Sequence, residues 1–276
     1  MDIGKYLQLY SEELKRKGFR KNSIENYMSC VNVFLHQLNS KVTKPSEINE
    51  QNIKDFLRSF KTHNTQRMYH SAIKCFYKYV IKQPNKFKYI EYCKRDRRLP
   101  IVLSQEEIKA IFDACINLKH KTILYILYSC GLRISELINL KIKDIDSARS
   151  VIYIRDAKGG KDRQVPLHEK LLSQLRCYYK IYKPIDYLFN GQESTIYSEA
   201  SIRQFINKYA NKAGIKKNVT PHLFRHSCFT NMVEGGVDTS IIQKIAGHSN
   251  IKTTHLYTHI SSTLINKVYN PISFVN

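Results

Sequence analysis

Apolar residues recur at helical spacing through the first 82 positions, and this repeat restricts the fold more than any other feature. Ile24, Tyr27, Val31 and Phe34 illustrate it. An α-helix has 3.6 residues per turn, so such residues share one face. Four stretches of this kind are separated by short polar joints, which predicts a four-helix bundle over residues 1–82. We expect its second helix to begin at Asn22 and its fourth to follow Asn64.

The helical repeat is lost over residues 83–100. Prolines stand at positions 84 and 100, and a dense basic run occupies 94–98. Segments with this composition commonly join domains. We therefore predict an interdomain linker at 83–100 and a second domain at 101–276.

The second domain combines helices with one predicted hairpin. Ser104 and Glu107 have the spacing of a capping box at a helix start. Two β-prone runs, 151–154 and 163–167, flank a Lys-Gly-Gly-Lys turn at 158–161. The predicted fold class is mainly α with a small antiparallel β-sheet.

The net charge of +22 indicates a polyanionic partner. Because both domains are basic, we expect the chain to surround double-stranded DNA rather than to dock on a membrane. We find no apolar run of about 18 residues, the length that a spanning helix needs. We expect a cytoplasmic, nucleoid-associated protein. The seven scattered cysteines favour neither a disulfide framework nor a thiolate zinc site.

Six side chains have the chemistry to cut a phosphodiester covalently. Arginine and lysine can neutralise phosphate oxygens, a phenol can attack, and a positioned acid can protonate the leaving sugar oxygen. These predicted catalytic residues are Arg133, Lys158, His222, Arg225, His248 and Tyr257.

Each motif alone also has a plain structural explanation. Arg133 could cap a helix, and Lys158 could be a solvated hairpin lysine, with Lys161 as a competitor for the acid role. Glu136 could either support one of the site cations or be a surface charge. His222 and Arg225 are the more specific pair, since they lie three positions apart at a helix start that favours phosphate.

The histidines also permit a metal hypothesis. His222 and His226 are four positions apart, a common ligand spacing, and further histidines follow at 248, 255 and 259. However, the sequence has no His-Glu-x-x-His pattern and no Cys-x-x-Cys pair. We therefore predict neither a metal nor a cofactor.

At these residues the chain resembles the tyrosine recombinase (lambda-integrase-type) family, in its two-domain, Xer-like form. The matching motifs are Gly-Leu-Arg-x-Ser-Glu-Leu at 131–137, Pro-His-x-x-Arg-His at 221–226, Gly-His-Ser at 247–249 and Thr-Thr-x-x-Tyr-Thr-His at 253–259. The order of the six residues also agrees. Ala246 stands where the family often has leucine.

The resemblance implies a fold and a mechanism. The N-terminal bundle would be a SAM-like core-binding domain, and residues 101–276 an α+β catalytic domain. Tyr257 would form a 3′-phosphotyrosyl link while Arg133 and Arg225 hold the phosphate. Lys158 would protonate the leaving oxygen, His222 would act as general acid and base, and His248 would support the phosphate.

The resemblance also implies a homo-tetramer on two DNA sites, with or without a second recombinase. Residues 258–276 could dock on a neighbouring protomer or fold back in cis. The biological task could be integration and excision of a mobile element, or Xer-type dimer resolution. Two alternatives share much of this sequence pattern: a type IB topoisomerase-like nicking-closing enzyme and a non-catalytic DNA-binding protein.

Overall fold

The computed structural model describes residues 1–40, 42–93, 101–155, 162–191, 195–247 and 254. The chain divides into two compact units, Met1–Arg98 and Leu99–Asn276. None of the described helices is long and apolar enough to cross a membrane.

The first unit is a bundle of amphipathic helices, as the sequence predicts. Its helices are α1 (Ile3–Arg16), α2 (Lys21–Leu38), α3 (Glu50–Arg58) and α4 (His63–Phe76), and a π-helical turn, Tyr77–Ile81, extends the last.

Two helices of the bundle begin earlier than the polar residues suggested. The N-cap residue of helix α2 is Arg20, and its side chain makes no capping hydrogen bond. Helix α4 starts behind Thr62, whose hydroxyl accepts the N–H of Thr65. Threonine and asparagine are both favourable N-cap residues, so residue type alone does not decide whether α4 begins after Thr62 or after Asn64.

Two tyrosine hydroxyls tie the bundle together from within. The hydroxyl of Tyr10, on α1, donates to the Ala72 carbonyl at 2.8 Å, and that of Tyr77 donates to the Pro45 carbonyl at 2.7 Å. Burial raises the pKa of both phenols. Each ring fills the core while its polar end is satisfied, so neither buried hydroxyl costs a lost hydrogen bond.

The start of the predicted linker packs on this first unit. Phe87 and Ile90 are buried in its core. The buried ring of His70, on α4, reaches the same segment, where its Nε2 donates to the Ile90 carbonyl at 2.8 Å. The basic residues 94–100 lie outside the described residues, and the domain boundaries at 82 and 100 stay a prediction.

The second unit is helical around one small antiparallel sheet, which confirms the predicted fold class. Its helices are α5 (Gln105–Ala114), α6 (Leu118–Ser129), α7 (Ile134–Ile138), α8 (Glu169–Tyr182), α9 (Glu199–Lys212), α10 (Pro221–Glu234) and α11 (Thr239–Ala246). Helix α10 and helix α11 pack against each other, and α11 also contacts the sheet.

The sheet has the order β1 (Ile145–Asp146), β2 (Val151–Ile154), β3 (Arg163–Pro166). Strands β2 and β3 form the predicted antiparallel pair, with Ile152 opposite Val165 and Ile154 opposite Arg163. The turn at 156–161 lies outside the described residues. Strand β1 was not predicted, because two residues are too few to show a sequence repeat.

The burial of His70 predicts a pH-dependent loss of stability. Burial lowers its pKa, with Lys74 and Arg67 adding to the effect against the Ile90 hydrogen bond. Below a pH of about 6.5 the unfolded chain binds a proton that the folded chain still rejects, so the free energy of unfolding should fall as pH falls. The free energy of unfolding, measured in urea at pH 7.5 and at pH 5.5, should differ less between the two pH values in His70→Gln than in wild type.

Replacement of the exposed His36 on α2 by glutamine is the matched control and should leave the pH dependence unchanged. A pH dependence equal to wild type in His70→Gln would contradict the prediction.

Candidate active site: a buried carboxylate under three arginines

The arginines of the site lie where four elements of the second unit meet, namely the starts of α7 and β3, the second turn of α10 and the end of α11. Arg133 is the N-cap residue of α7 and follows the end of α6 by a short connection. Arg225 lies in the second turn of α10, and Arg163 begins β3. The last carbonyls of α11 face the same place, since Ile245 and Ala246 accept hydrogen bonds from two of these side chains.

Arg225 is a fully buried arginine, with only 2% of its surface exposed. Its Nη1 donates to the Gly131 carbonyl and its Nη2 to the Ala246 carbonyl at 2.6 Å. The guanidinium carbon lies 4.9 Å from the centre of the Phe229 ring. A buried charge is tolerated only with such partners, and the contacts hold the guanidinium in one orientation.

Glu136 is the anion that the three arginines share. Its side chain is 4% exposed. Oε1 accepts from Arg133 Nη1 at 2.7 Å and from Arg163 Nη1 at 2.8 Å, and Oε2 accepts from the Arg133 backbone N–H and from Arg163 Nη2, both at 2.8 Å. Arg225 Nη1 lies 4.0 Å from Oε2. The structure therefore decides between the two interpretations of Glu136, which supports the site cations.

The protonation state of Glu136 follows from these contacts. Burial alone would raise the pKa of its carboxyl, but the hydrogen bonds and charge of Arg163, together with the bonds from Arg133, lower it to about 2. The carboxylate is charged at neutral pH. Three guanidiniums around one carboxylate leave a surplus of two positive charges among the described residues of the site.

His222 and His226 form a hydrogen-bonded pair on α10, with their Nε2 atoms 2.9 Å apart. Burial, followed by the charges of Arg225 and Arg133, lowers the pKa of His222. Burial, followed by His222 and Arg225, lowers the pKa of His226 to about 4. Both rings are therefore neutral at neutral pH, and one donates its proton to the other.

Three of the six predicted residues are described, and they lie together. Arg133 and Arg225 both contact Glu136, and His222 is close enough to both arginines for their charge to lower its pKa. Lys158, His248 and Tyr257 lie outside the described residues, so their places in the site stay predictions.

Arg163 is the residue that sequence reasoning missed. A signal for it existed, because side chains alternate along a strand and Arg163 therefore shares the inward face of Val165. An arginine on a buried face needs a carboxylate partner. Glu136 was available for that role.

The described residues include no group of three histidine, cysteine or acidic side chains that could hold a metal ion. Of the histidines in the metal hypothesis, His222 and His226 are described; those at 248, 255 and 259 lie outside.

Family models and similar proteins indicate the same family for both units of the chain. The model of the phage integrase family matches residues 102–263, and that of the phage integrase N-terminal SAM-like domain matches 6–86. Tyrosine recombinase XerA of Pyrococcus horikoshii is 33% identical over 260 residues, which cover 93% of this chain and 89% of that protein. Tyrosine recombinase XerD of Staphylococcus saprophyticus is 37% identical over 205 residues, 70% of this chain and 68% of that protein.

Solved structures show the same fold. A crystal structure of XerA recombinase is 30% identical and covers 96% of this chain and 97% of its own, with a TM-score of 0.57. A lambda integrase (75–356) dimer bound to a core site is 16% identical and covers 92% of this chain and 97% of its own, with a TM-score of 0.77. At that identity the second likeness concerns the fold alone.

The close packing at Gly131 predicts a large loss of stability on substitution. Gly131 has a φ of +57°, and a Cβ there would lie 2.6 Å from Cζ of Phe229, the ring that contacts Arg225. Gly131→Ala should therefore lower the free energy of unfolding through both backbone strain and overpacking.

Gly214→Ala is the matched control, since Gly214 has a φ of +71° with nothing within 4 Å of its Cβ position. Urea unfolding should show Gly131→Ala to be the less stable by about 1–3 kcal/mol, the usual cost of overpacking. Equal losses would mean that the Phe229 ring moves aside without cost.

Proposed function

This chain belongs to the phage integrase (tyrosine recombinase) family and is a site-specific DNA recombinase, and we propose which residues carry its reaction. The proposed catalytic residues are Arg133, Lys158, His222, Arg225, His248 and Tyr257. Tyr257 is the nucleophile, and it attacks a phosphodiester of duplex DNA.

The observation that carries this assignment is the tethering of Arg133 and Arg225 to one buried carboxylate. Two guanidiniums on rigid elements can each present paired N–H groups to the non-bridging oxygens of one phosphate. Their positions are set by contacts within the protein, to Glu136, Gly131 and Ala246. Such preorganised charge lowers the barrier because it needs no rearrangement as the transition state forms.

The proposed reaction exchanges one phosphodiester for another. The Tyr257 oxygen attacks phosphorus, a 3′-phosphotyrosyl bond forms, and the bond to the 5′-oxygen breaks. Lys158 supplies the proton that leaves with the 5′-hydroxyl, and His248 supports the phosphate. The energy of the broken bond is kept in the phosphotyrosyl bond, so a 5′-hydroxyl of another strand can reverse the step without a nucleotide cofactor.

His222 has the properties of the general base in this scheme. An unperturbed tyrosine has a pKa of about 10, so its hydroxyl needs an acceptor for the proton at neutral pH. The lowered pKa of His222 keeps its imidazole neutral and able to accept. In the reverse direction the same ring returns the proton.

Several of the similar solved structures are recombinases bound to DNA, among them XerH on a difH substrate and a lambda integrase tetramer on a Holliday junction. We propose that this chain likewise acts as a homo-tetramer on two DNA sites in the cytoplasm, with or without a second recombinase, and that residues 258–276 either dock on a neighbouring protomer or fold back in cis. Integration and excision of a mobile element and Xer-type dimer resolution both remain candidate biological tasks for this reaction.

Topoisomerase-like nicking and closing is the alternative that shares these residues. It would reseal the original strand and relax supercoils, whereas recombination joins strands from two duplexes. Two labelled duplexes of different length distinguish the alternatives, because only strand exchange yields products of new length.

Tyr257→Phe should abolish the covalent protein–DNA adduct while DNA binding stays close to wild type, because the substitution removes one hydroxyl. The measurement is trapping on nicked duplexes that carry a site selected from random sequence by binding to the wild-type protein. Tyr179→Phe, at an exposed tyrosine of α8, is the control and should form the adduct normally. An adduct that survives in Tyr257→Phe would assign the nucleophile to another residue.

DNA binding should weaken steeply with salt. Each phosphate that a lysine or arginine neutralises contributes about −0.9 to the slope of log binding constant against log salt concentration. With a net charge of +22, the slope should correspond to several phosphates. Binding isotherms between 50 and 200 mM salt, about the range over which this effect is large, measure it. A flat response would contradict extensive backbone contact.

A further inference from the structure

Arg163 has no part in the reaction proposed above, yet it is almost as buried as the arginine at the centre of the site. Its side chain is 6% exposed. It stands opposite Ile154 in the β2–β3 register, on the face of the sheet that turns away from solvent. A charge in such a place is costly unless its partners are well oriented.

The partners of Arg163 engage all three nitrogens of its guanidinium. Nη1 and Nη2 donate to the two oxygens of Glu136, both at 2.8 Å, and Nε donates to the Ile245 carbonyl at 2.6 Å. The bidentate pair sets the distance to the carboxylate, and the third bond sets the plane of the fork. Lysine could not reproduce this arrangement, because its ammonium is a single point of charge.

The carboxylate that Arg163 occupies is the same one that faces the two proposed phosphate-binding arginines. Arg133 donates to Glu136 at 2.7 Å, whereas Arg225 Nη1 stays 4.0 Å away. A carboxylate left with fewer partners would pair more closely with the cations that remain. It would then cancel charge that a bound phosphate needs.

The end of α11 keeps this arrangement in place. Adjacent carbonyls accept from two different guanidiniums, Ile245 from Arg163 and Ala246 from Arg225. Behind them, Gly247 has a φ of +63°, and a Cβ at that position would lie 3.0 Å from Cδ of Arg163. The two arginines are thus held side by side by one helix terminus and cannot exchange their partners freely.

We propose that Arg163 is a positioning residue that occupies the Glu136 carboxylate, so that Arg133 and Arg225 keep their positive charge for the scissile phosphate. This inference rests on the proposed function, since it needs those two arginines to bind the phosphate. Arg163 itself acts only through Glu136.

Charge restoration tests the proposal. Arg163→Met removes the counter-cation and leaves a surplus of one positive charge around Glu136, and the double variant Arg163→Met/Glu136→Gln returns the surplus to two. The rate of adduct formation on the nicked duplex should fall roughly tenfold to a hundredfold in Arg163→Met, less than on loss of a direct oxyanion donor. It should recover most of that loss in the double variant.

Arg155→Met is the matched control. Arg155 directly follows β2, and its Nε donates to the nearly buried carboxylate of Asp144 at 2.8 Å, so the substitution also takes an arginine from a carboxylate. Its rate should stay within about twofold of wild type, because Arg155 pairs with Asp144 and not with Glu136, and its side chain is 56% exposed.

A methylphosphonate at the scissile position separates positioning from a general loss of structure. That group lacks the negative non-bridging oxygen that the arginines neutralise, so the surplus charge matters less. The ratio of wild-type to Arg163→Met rates should shrink on this substrate. Damage to folding would lower the Arg163→Met rate by the same factor on both substrates, so the ratio of wild-type to variant rates would be unchanged. The comparison therefore remains valid even where only part of the Arg163→Met protein is folded.

Three results would overturn the inference: a wild-type rate in Arg163→Met, no recovery in the double variant, or an unchanged ratio on methylphosphonate. The proposed function would survive any of these as long as Arg133→Ala still loses the adduct. If Arg133→Ala keeps the adduct as well, the assignment of the phosphate-binding arginines is itself wrong.

Discussion

The second unit is organised around one buried carboxylate that joins pieces of chain far apart in sequence. Glu136 accepts hydrogen bonds from Arg133 and Arg163 and lies 4.0 Å from Arg225. Its burial would be prohibitive for an isolated charge, and the buried guanidinium of Arg163 would likewise be costly without it. The four groups are therefore stable only together, which fixes α7, β3, α10 and the end of α11 relative to one another.

The sequence predicts most helices and strands well, but it predicts their exact starts and the packing of the connecting segments poorly. Helical periodicity and the two β-prone runs were sufficient for the bundle and for the β2–β3 pair, because both patterns are local. The start of α4 was misplaced because Thr62 and Asn64 are both good caps, and the strand β1 was too short to leave a pattern. The inward position of Phe87 and Ile90 could not be read from a segment that has no regular repeat.

The candidate site shows the same division. Arg133, His222 and Arg225 were predicted from residue type and motif, whereas the choice between a supporting and a surface role for Glu136 needed the packing. Arg163 was missed although its alternation with Val165 placed it inward, since no local rule names the carboxylate that such an arginine requires. Gly131 is a further example, because its close approach to Phe229 involves residues almost a hundred positions apart.

The chemistry gives a reason why the proposed site relies mainly on arginines to neutralise the phosphate. In the proposed reaction one site breaks a phosphodiester and later restores it, so the charge around phosphorus must be the same in both directions. A guanidinium remains protonated at any physiological pH, and burial does not change this. A histidine beside these arginines binds its proton less well, and the charges of Arg225 and Arg133 contribute to the lowered pKa of His222. The proposed site thus separates two tasks, with permanent charge supplied by arginines and proton transfer left to groups that can take up and release a proton.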